Sequence, residues 1–360
     1  MYGASETATA AADAERTAFR RAEKRYKLYK IQASKSRKNQ THYTDLSDVV
    51  DFRSVLESFR LDGGTPPGIF NYECSGFDRP VFCFEARPGF YFIPGALSNE
   101  EQGYWIRESL VSFPQPPNRT NHTAIYGPIF GLFDAVCNHK VLVEVARTAS
   151  EVENIPCDDK TIFTPRRYFF TDFCTVETAC KSVAASVLLR KLRWSTLGLQ
   201  FDWSKRNYDV SLPHKKIPDA LCHLAKKMAL PAMPDGEQFQ PEAAIVNYFG
   251  QSDMLGGHLD DMERDWSKPI VSISLGCKAI FLLGGKSKED TPLAMFLRSG
   301  DIVLMAGEAR ECFHGVPRIF TEHEHIDNKA LMSLFSNDAD LYIRDYIKTS
   351  RININIRQVN

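Results

Sequence analysis

The chain has 360 residues, 43% of them hydrophobic and 25% charged, with a formal net charge of −1. That length can bury a core without disulfide staples, and so small a net charge creates no global field, so any nucleic-acid contact has to come from local patches. The nine cysteines are odd in number and contain no CxxC pair, which excludes a disulfide framework and a ribbon-type zinc site and points to reduced thiols inside a cell. No apolar run approaches the roughly 20 residues that a spanning helix needs, so no membrane partner is expected. Cytoplasm or nucleus is the expected compartment, with an organelle left open because the N-terminus is Ala-rich and then Arg-rich, although Glu6, Asp13, Glu15 and Glu23 argue against a transit peptide. Nothing specifies an oligomer, and a monomer is the expectation.

Residues 1–78 read as a basic N-terminal extension and linker. Between Arg16 and Lys38 ten Lys/Arg stand against one acid, Glu23. Within it, AERTAFRRAEKRYKLYK has helical periodicity, with Phe19, Ala22, Tyr26 and Tyr29 on one stripe. Such a stripe docks on a body with its cations solvated, or the cations face nucleic acid; both readings stand. Residues 61–78 are rich in Gly and Pro and read as a linker or long loop. The body, 79–360, begins with two strands in VFCFEA and GFYFIPG, then a helix from Asn99 opened by a Ser98/Glu101 capping box. The stretch at about 129–179 has no clean period and is unplaced. LRWSTLGLQFDW reads as a strand and Asp219–Met228 as a helix. Short strands follow between Gly and Pro turns: EAAIVNYFG, GGHLDD, PIVSISLG, KAIFLLGG, AMFLRSGD, IVLMAG, CFHGVPR and RININIRQV. This pattern predicts a mixed α and β chain with a sandwich or jelly-roll core, not a doubly wound sheet.

In an extended strand, side chains two apart share a face, so His258 and Asp260 point one way and Asp261 the other. A second His from a facing strand would complete the 2-His-1-carboxylate triad of non-haem Fe(II) oxygenases. His314, in CFHGVPR, is the best candidate. A lone His-x-Asp is by itself more often a surface turn. RININIRQV alternates strictly, with Arg351, Asn353, Asn355 and Arg357 on one face and Ile352, Ile354 and Ile356 on the other. On an edge strand that is ordinary amphipathic patterning. With both faces covered, the two arginines would need anions, and the planar guanidinium fork suits a dicarboxylate.

Taken together, Asn247-Tyr248-Phe249, His258-x-Asp260, SGDIVLMAGEARECFHGVPR with His314, and Arg351-x-Asn353-x-Asn355-x-Arg357 resemble the AlkB family of Fe(II)/2-oxoglutarate dioxygenases. The long, loop-like gap from His314 to Arg351 resembles the first AlkB-homologue branch. The resemblance runs from about Phe84 to Asn360, leaving out 129–179. It implies a double-stranded β-helix core at about 240–358 with flanking helices. It implies Fe(II) on His258, Asp260 and His314, with O₂ and 2-oxoglutarate as cosubstrates. It places Arg351 on the distal carboxylate of 2-oxoglutarate and Arg357 and Asn247 near the proximal end, with Asn353 assisting; Tyr248, Phe249 and Asn355 complete the candidate set, Tyr248 being expected to face away from Phe249. The implied reaction hydroxylates a methyl group on a nucleobase in nucleic acid, which is then lost as formaldehyde while 2-oxoglutarate becomes succinate and CO₂.

Three positions depart from the family pattern. Phe249 stands where the family usually has Tyr, so a hydrogen bond to the cosubstrate is lost. Gly198 to Phe201 replace tyrosines that line the base pocket in relatives, leaving Trp194 and Phe201 to stack on a base or to serve as core. The stretch 129–179 matches nothing in the pattern. Arg193 beside Trp194, with Arg190-Lys191, Lys205-Arg206 and Lys215-Lys216, fits a groove that tracks a single strand by cations and stacking, and a solvated surface explains the same residues. The expected substrates are N1-methyladenine in tRNA and N6-methyladenine in DNA, between which the sequence does not choose. A hydroxylase of a protein or small molecule, and a non-catalytic binding module, remain the alternatives.

Overall fold

The structure, a computed structural model, describes residues 16–27, 44–144, 167–173, 181–321, 329–337 and 340–360. It is mixed α and β, and the named strands pair antiparallel throughout. The large sheet has the order β1 (Ile69–Asn71), β2 (Phe82–Phe84), β3 (Phe90–Ile93), β15 (Ile302–Met305), β12 (Ile270–Gly276), β17 (Arg351–Arg357), β10 (Ala243–Phe249) and β7 (Trp194–Gly198). A four-stranded sheet has the order β11 (Leu255–His258), β16 (His314–Ile319), β13 (Ala279–Leu283) and β14 (Leu293–Leu297). Two smaller sheets lie apart: β4 (Val141–Glu144) between β5 (Tyr168–Thr171) and β6 (Ser182–Ala184), and the hairpin of β8 (Gln200–Asp202) with β9 (Asn207–Asp209).

Strand alternation decides what each face of the large sheet meets. Ile352, Ile354 and Ile356 of β17 are fully buried in one core with Ile106 and Leu110 of the helix Asn99–Val111, Leu221 and Ala225 of the helix Asp219–Ala229, and Ile343 and Ile347 of the helix Leu341–Thr349. The opposite face looks toward the small sheet. Phe90, Phe92, Val303 and Met305 from the large sheet pack there with Phe281, Leu283, Met295 and Val316 from the small one. The capping box forms as expected: the Glu101 N–H donates to Ser98 Oγ (3.2 Å) and the Ser98 N–H to the Glu101 carboxylate (2.8 Å).

Several expectations are corrected. The linker at 61–78 contains β1, in register with β2. The helix preceding it, Phe52–Asp62, belongs to the inter-sheet core through Phe52 and Val55. Phe52 stacks on Phe92 at 4.0 Å, and Asp51 holds Arg298 through both oxygens (2.6 and 2.7 Å). The single strand LRWSTLGLQFDW is two, because Gly198 adopts φ +67° and a Cβ there would strike the Glu242 carbonyl; the chain turns at that glycine. The loop-like gap after His314 contains helices at Lys329–Ser333 and Leu341–Thr349. Of the unplaced stretch, the helix Leu132–Cys137 and strands β4 and β5 are described; residues 145–166 and 174–180 lie outside the described residues, as does Tyr29 of the basic stripe. The basic helix itself, α1 (Ala18–Tyr26), docks: Phe19 and Tyr26 are buried against Ile280, Leu282 and Phe320. No helix among the described residues is long and apolar enough to cross a membrane.

Truncating Phe52 to Ala should cost about 3–5 kcal/mol, whereas Leu61→Ala on the exposed face of the same helix should stay within about 0.5 kcal/mol. Urea denaturation of the two variants checks this; equal small effects would make the helix a peripheral attachment.

Candidate metal centre

The small sheet brings two histidines side by side. His258 at the end of β11 is in direct register with His314 at the start of β16, and their ring centroids lie 4.4 Å apart. Strand β11 ends at His258, so Asp260 is not carried by the strand as the two-residue spacing suggested. It is held from outside. The Arg357 guanidinium binds its Oδ1 at 2.8 Å, and Arg310 donates to its backbone carbonyl at 3.0 Å. In that position the carboxylate lies 3.8 Å from His258 Nε2 and 3.6 Å from His314 Nε2. One ligating atom from each of the three residues falls within 4.8 Å of the others. His258 Nδ1 hydrogen-bonds to the Gly256 carbonyl (2.9 Å), which leaves Nε2 free to ligate. Asp261 turns away to Arg206 at 3.4 Å.

The charges of the site suit a cation. Burial pushes the Asp260 carboxyl up, but Arg357 and the adjacent His314 outweigh it and hold it well below the usual carboxylate range. Burial, reinforced by the neighbouring His314, pushes His258 down, so it stays neutral. An ionised carboxylate and a neutral imidazole are the forms a metal requires. Two imidazoles and one carboxylate are the donor set of non-haem Fe(II), with positions left open for other ligands.

Behind Asp260 lies a buried ion network that the sequence did not reveal. Glu263, fully buried, pairs with Arg310 at 2.7 Å and with Arg357 at 2.8 Å. Tyr208 of β9 accepts a hydrogen bond from Arg357 and donates one to Glu263, each 3.2 Å. The cluster HLDDMERD showed Glu263 only as one more acid near a turn, and the pairing of a residue near 260 with one near 357 needs the assembled sheets. Burial lowers the affinity of Arg357 for its proton, yet Asp260, Tyr208 and Glu263 together hold it well above its ordinary value.

The second guanidinium differs. Arg351, wholly buried, donates from Nη2 to Ser274 Oγ (2.9 Å), while its Nε and Nη1 have no hydrogen-bond partner. Burial pulls its pKa down to about 10. Orphaned N–H groups on a buried guanidinium are a costly arrangement. A carboxylate ligand would satisfy them, so the residues fit the dicarboxylate cosubstrate. Asn355 Oδ1 and Arg357 Nε on the same face of β17 are likewise unpartnered. Phe249 lies opposite Arg351 in the β10–β17 register, its ring centroid 5.5 Å from the guanidinium carbon. Asn247 sits opposite Asn353. The Asn353 amide donates to Ser272 Oγ and the Ile273 carbonyl (2.9 and 3.0 Å), which ties it to β12.

Tyr248 is removed from the cosubstrate set. Alternation along β10 puts it on the helical side, where its hydroxyl donates to the Ser109 carbonyl (2.6 Å) and meets Ser195 Oγ (3.1 Å). Of the candidate substrate residues, Phe201 is buried, edge-on to Trp203 (4.7 Å) and Tyr208 (5.2 Å), as a packing residue. Trp194 is half-buried and leans on Trp203 (5.3 Å), which is exposed. Arg193 is exposed and paired with Asp253 at 2.8 Å.

The sheets, the His-Asp-His cluster and the two buried arginines define a metal-dependent oxygenase site. The model of the 2OG-Fe(II) oxygenase superfamily matches residues 166–357. The chain is 63% identical over 361 residues to the DNA N6-methyladenine demethylase ALKBH1A of Arabidopsis thaliana, covering 98% of this chain and 99% of that one. It is 31% identical to the nucleic acid dioxygenase ALKBH1 of Homo sapiens, over 76% of this chain and 64% of the relative. It is 29% identical to the tRNA demethylase abh1 of Schizosaccharomyces pombe, over 91% and 96%. The chain belongs to the 2OG-Fe(II) oxygenase superfamily, within its AlkB family.

Removing Glu263 strands two buried guanidinium groups. Glu263→Ala should therefore lower stability by about 3–5 kcal/mol, measured by urea unfolding. A loss near zero would show that Asp260 alone balances both arginines.

Proposed function

We propose that the chain oxidatively demethylates nucleobases in nucleic acid, with N6-methyladenine in DNA and N1-methyladenine in tRNA as the substrates to test first. The observation that carries this is the aromatic hairpin β8–β9 beside the metal centre: Tyr208 hydrogen-bonds Glu263 and Arg357, the arginine that holds Asp260, and Trp203 in the hairpin turn packs against Trp194. A base drawn out of its stack needs such a platform next to the reactive centre. The named activities of the relatives in Arabidopsis thaliana and Schizosaccharomyces pombe support the same substrate class.

In this reading His258, Asp260 and His314 hold Fe(II), and Arg351 binds the distal carboxylate of 2-oxoglutarate. The two facing sheets are read as a double-stranded β-helix, or jelly roll, with the helical layer outside it. When bound, iron and 2-oxoglutarate supply the oxidising chemistry with O₂; the residues of the chain supply position and charge. Arg357 keeps Asp260 ionised and aimed at the two imidazoles. Phe249 and its neighbours in the inter-sheet core exclude water around the cosubstrate. Trp194, Trp203 and Arg193 are the residues we assign to the nucleotide, Phe201 supporting them from below. Among the described residues, the free thiols of Cys74, Cys83, Cys137, Cys222 and Cys312 fit the expected cytoplasm or nucleus, with an organelle left open.

Purified protein given Fe(II), O₂ and 2-oxoglutarate should consume one of N1-methyladenine tRNA or N6-methyladenine DNA, with Asp260→Ala as the blank and 5-methylcytosine RNA as a third arm. Mass spectrometry follows succinate and the methylated base. Succinate without loss of any base would move the substrate to a protein or small molecule.

The cosubstrate assignment is tested by titrating 2-oxoglutarate into metal-loaded protein. Phe249→Tyr restores a hydroxyl that can hydrogen-bond a carboxylate, a contact of roughly 1.5–3 kcal/mol, and should tighten the dissociation constant about tenfold or more. Arg351→Ala should abolish measurable binding. Unchanged affinity in Phe249→Tyr would mean the ring faces away from the cosubstrate.

A further inference from the structure

Helix α1 covers the strand that ends in a metal ligand. Strand β11 is the edge of its sheet, and its register with β16 is irregular between Leu255 and His258. Two consecutive glycines, Gly256 and Gly257, precede His258, so local sequence does little to fix this backbone. An edge strand of that kind needs an external restraint to hold a ligand to the tolerance a metal demands.

The restraint comes from residues far away in the chain. The Phe19 ring, fully buried, fills the space where Gly257 and Gly284 lack side chains; a Cβ on Gly257 would overlap it. The Phe19 N–H donates to the Lys288 carbonyl at 2.9 Å, which seats the start of the helix. One turn later Glu23, itself buried, accepts the Gly257 N–H at 2.6 Å and is paired with Arg20 at 2.6 Å. The C-terminal end of the helix is fastened separately: the Tyr26 hydroxyl donates to Asp48 Oδ2 at 2.7 Å.

The Gly257 N–H and the Gly256 carbonyl belong to one planar peptide unit. That carbonyl accepts the hydrogen bond from His258 Nδ1 at 2.9 Å. The chain of contacts therefore runs from the Glu23 carboxylate to the peptide N–H, through the peptide to its carbonyl, then to Nδ1–H of His258, whose Nε2 faces Asp260. A carboxylate on the N–H side fixes the peptide plane and polarises its carbonyl, which strengthens the bond that sets the imidazole tautomer and orientation.

We propose that Glu23 is a positioning residue of the metal centre, acting through the Gly256–Gly257 peptide to orient His258. The proposal rests on the reading of His258, Asp260 and His314 as the metal site.

The test is Co(II) titrated anaerobically into the full-length apo protein, followed by its visible absorption, with melting temperatures recorded in parallel. Wild type should bind and Asp260→Ala should not. Glu23→Asp keeps the charge but is one methylene too short to reach the Gly257 N–H, and Glu23→Ala removes the acceptor. Both should weaken Co(II) binding by about 10–100-fold and alter the absorption bands. Glu23→Gln keeps an acceptor in reach and should retain most of the affinity. Tyr26→Phe loosens the far end of α1 without touching the peptide, and should lower the melting temperature while leaving Co(II) affinity intact. Because Glu23→Asp leaves the site filled, it serves if Glu23→Ala fails to fold. Unchanged affinity in Glu23→Asp, or an equal loss in Tyr26→Phe, overturns the role of Glu23 while the metal reading stands. Wild-type protein that binds no Co(II) overturns the metal reading and the proposal with it.

Discussion

Strand β17 carries a buried guanidinium at each end, and much of the surrounding structure is arranged around those two charges. Taking an ion out of water costs several kcal/mol unless partners replace the lost solvation. At Arg357 the partners are internal: Asp260, Glu263 and Tyr208 close around it. At Arg351 they are incomplete, with Ser274 meeting one nitrogen and two others left unpaired. The same strand thus presents one arginine engaged with Asp260 and another whose unpaired N–H groups could meet an anion. The isoleucines on its other face anchor it among helices, so neither guanidinium can reach solvent.

That asymmetry connects the metal centre to both neighbouring features. Glu263 ties Arg357 to Arg310, and Arg310 returns to the backbone of Asp260, so the carboxylate is restrained at its side chain and at its main chain. Tyr208 extends the network into the aromatic hairpin. On the opposite side, α1 restrains His258 through a peptide plane. Of the three candidate ligands, His314 begins a strand flanked on both sides within its sheet, while His258 and Asp260 stand at an edge and beyond a strand end. The supplementary contacts are concentrated on the two that the sheet holds less firmly.

Much of the site was legible in the sequence, and the failures have identifiable causes. Period-two alternation placed Arg351, Asn353, Asn355 and Arg357 on one face correctly, and the same rule applied to β10 separates Tyr248 from Phe249. At Asp260 the outcome holds but its ground does not: the carboxylate joins the imidazoles, yet the strand stops two residues early and the ion pair with Arg357 brings it in. The helix Leu341–Thr349 carries only a faint sequence signal, Ile343 and Ile347 one helical turn apart, because the stretch is short and weakly apolar. Strand β1 was hidden by the Gly and Pro around it. Glu263, Arg310 and Glu23 carry no local signal at all, since an acid or a base in a polar segment reads as solvated unless its partner is known.

The sequence by itself determined the candidate metal-ligand residue types, their order along the chain, the two-faced character of β17 and the helical stripe of α1, because these follow from local periodicity and side-chain chemistry. Only the tertiary structure decided that Glu23 reaches Gly257, that Glu263 bridges Arg310 and Arg357, and that Arg351 is left with unpaired N–H groups. Those contacts join residues tens to hundreds of positions apart, and burial is what gives them their strength. An ion pair or hydrogen bond acquires that weight when water is excluded from it, and exclusion is a property of the assembled layers.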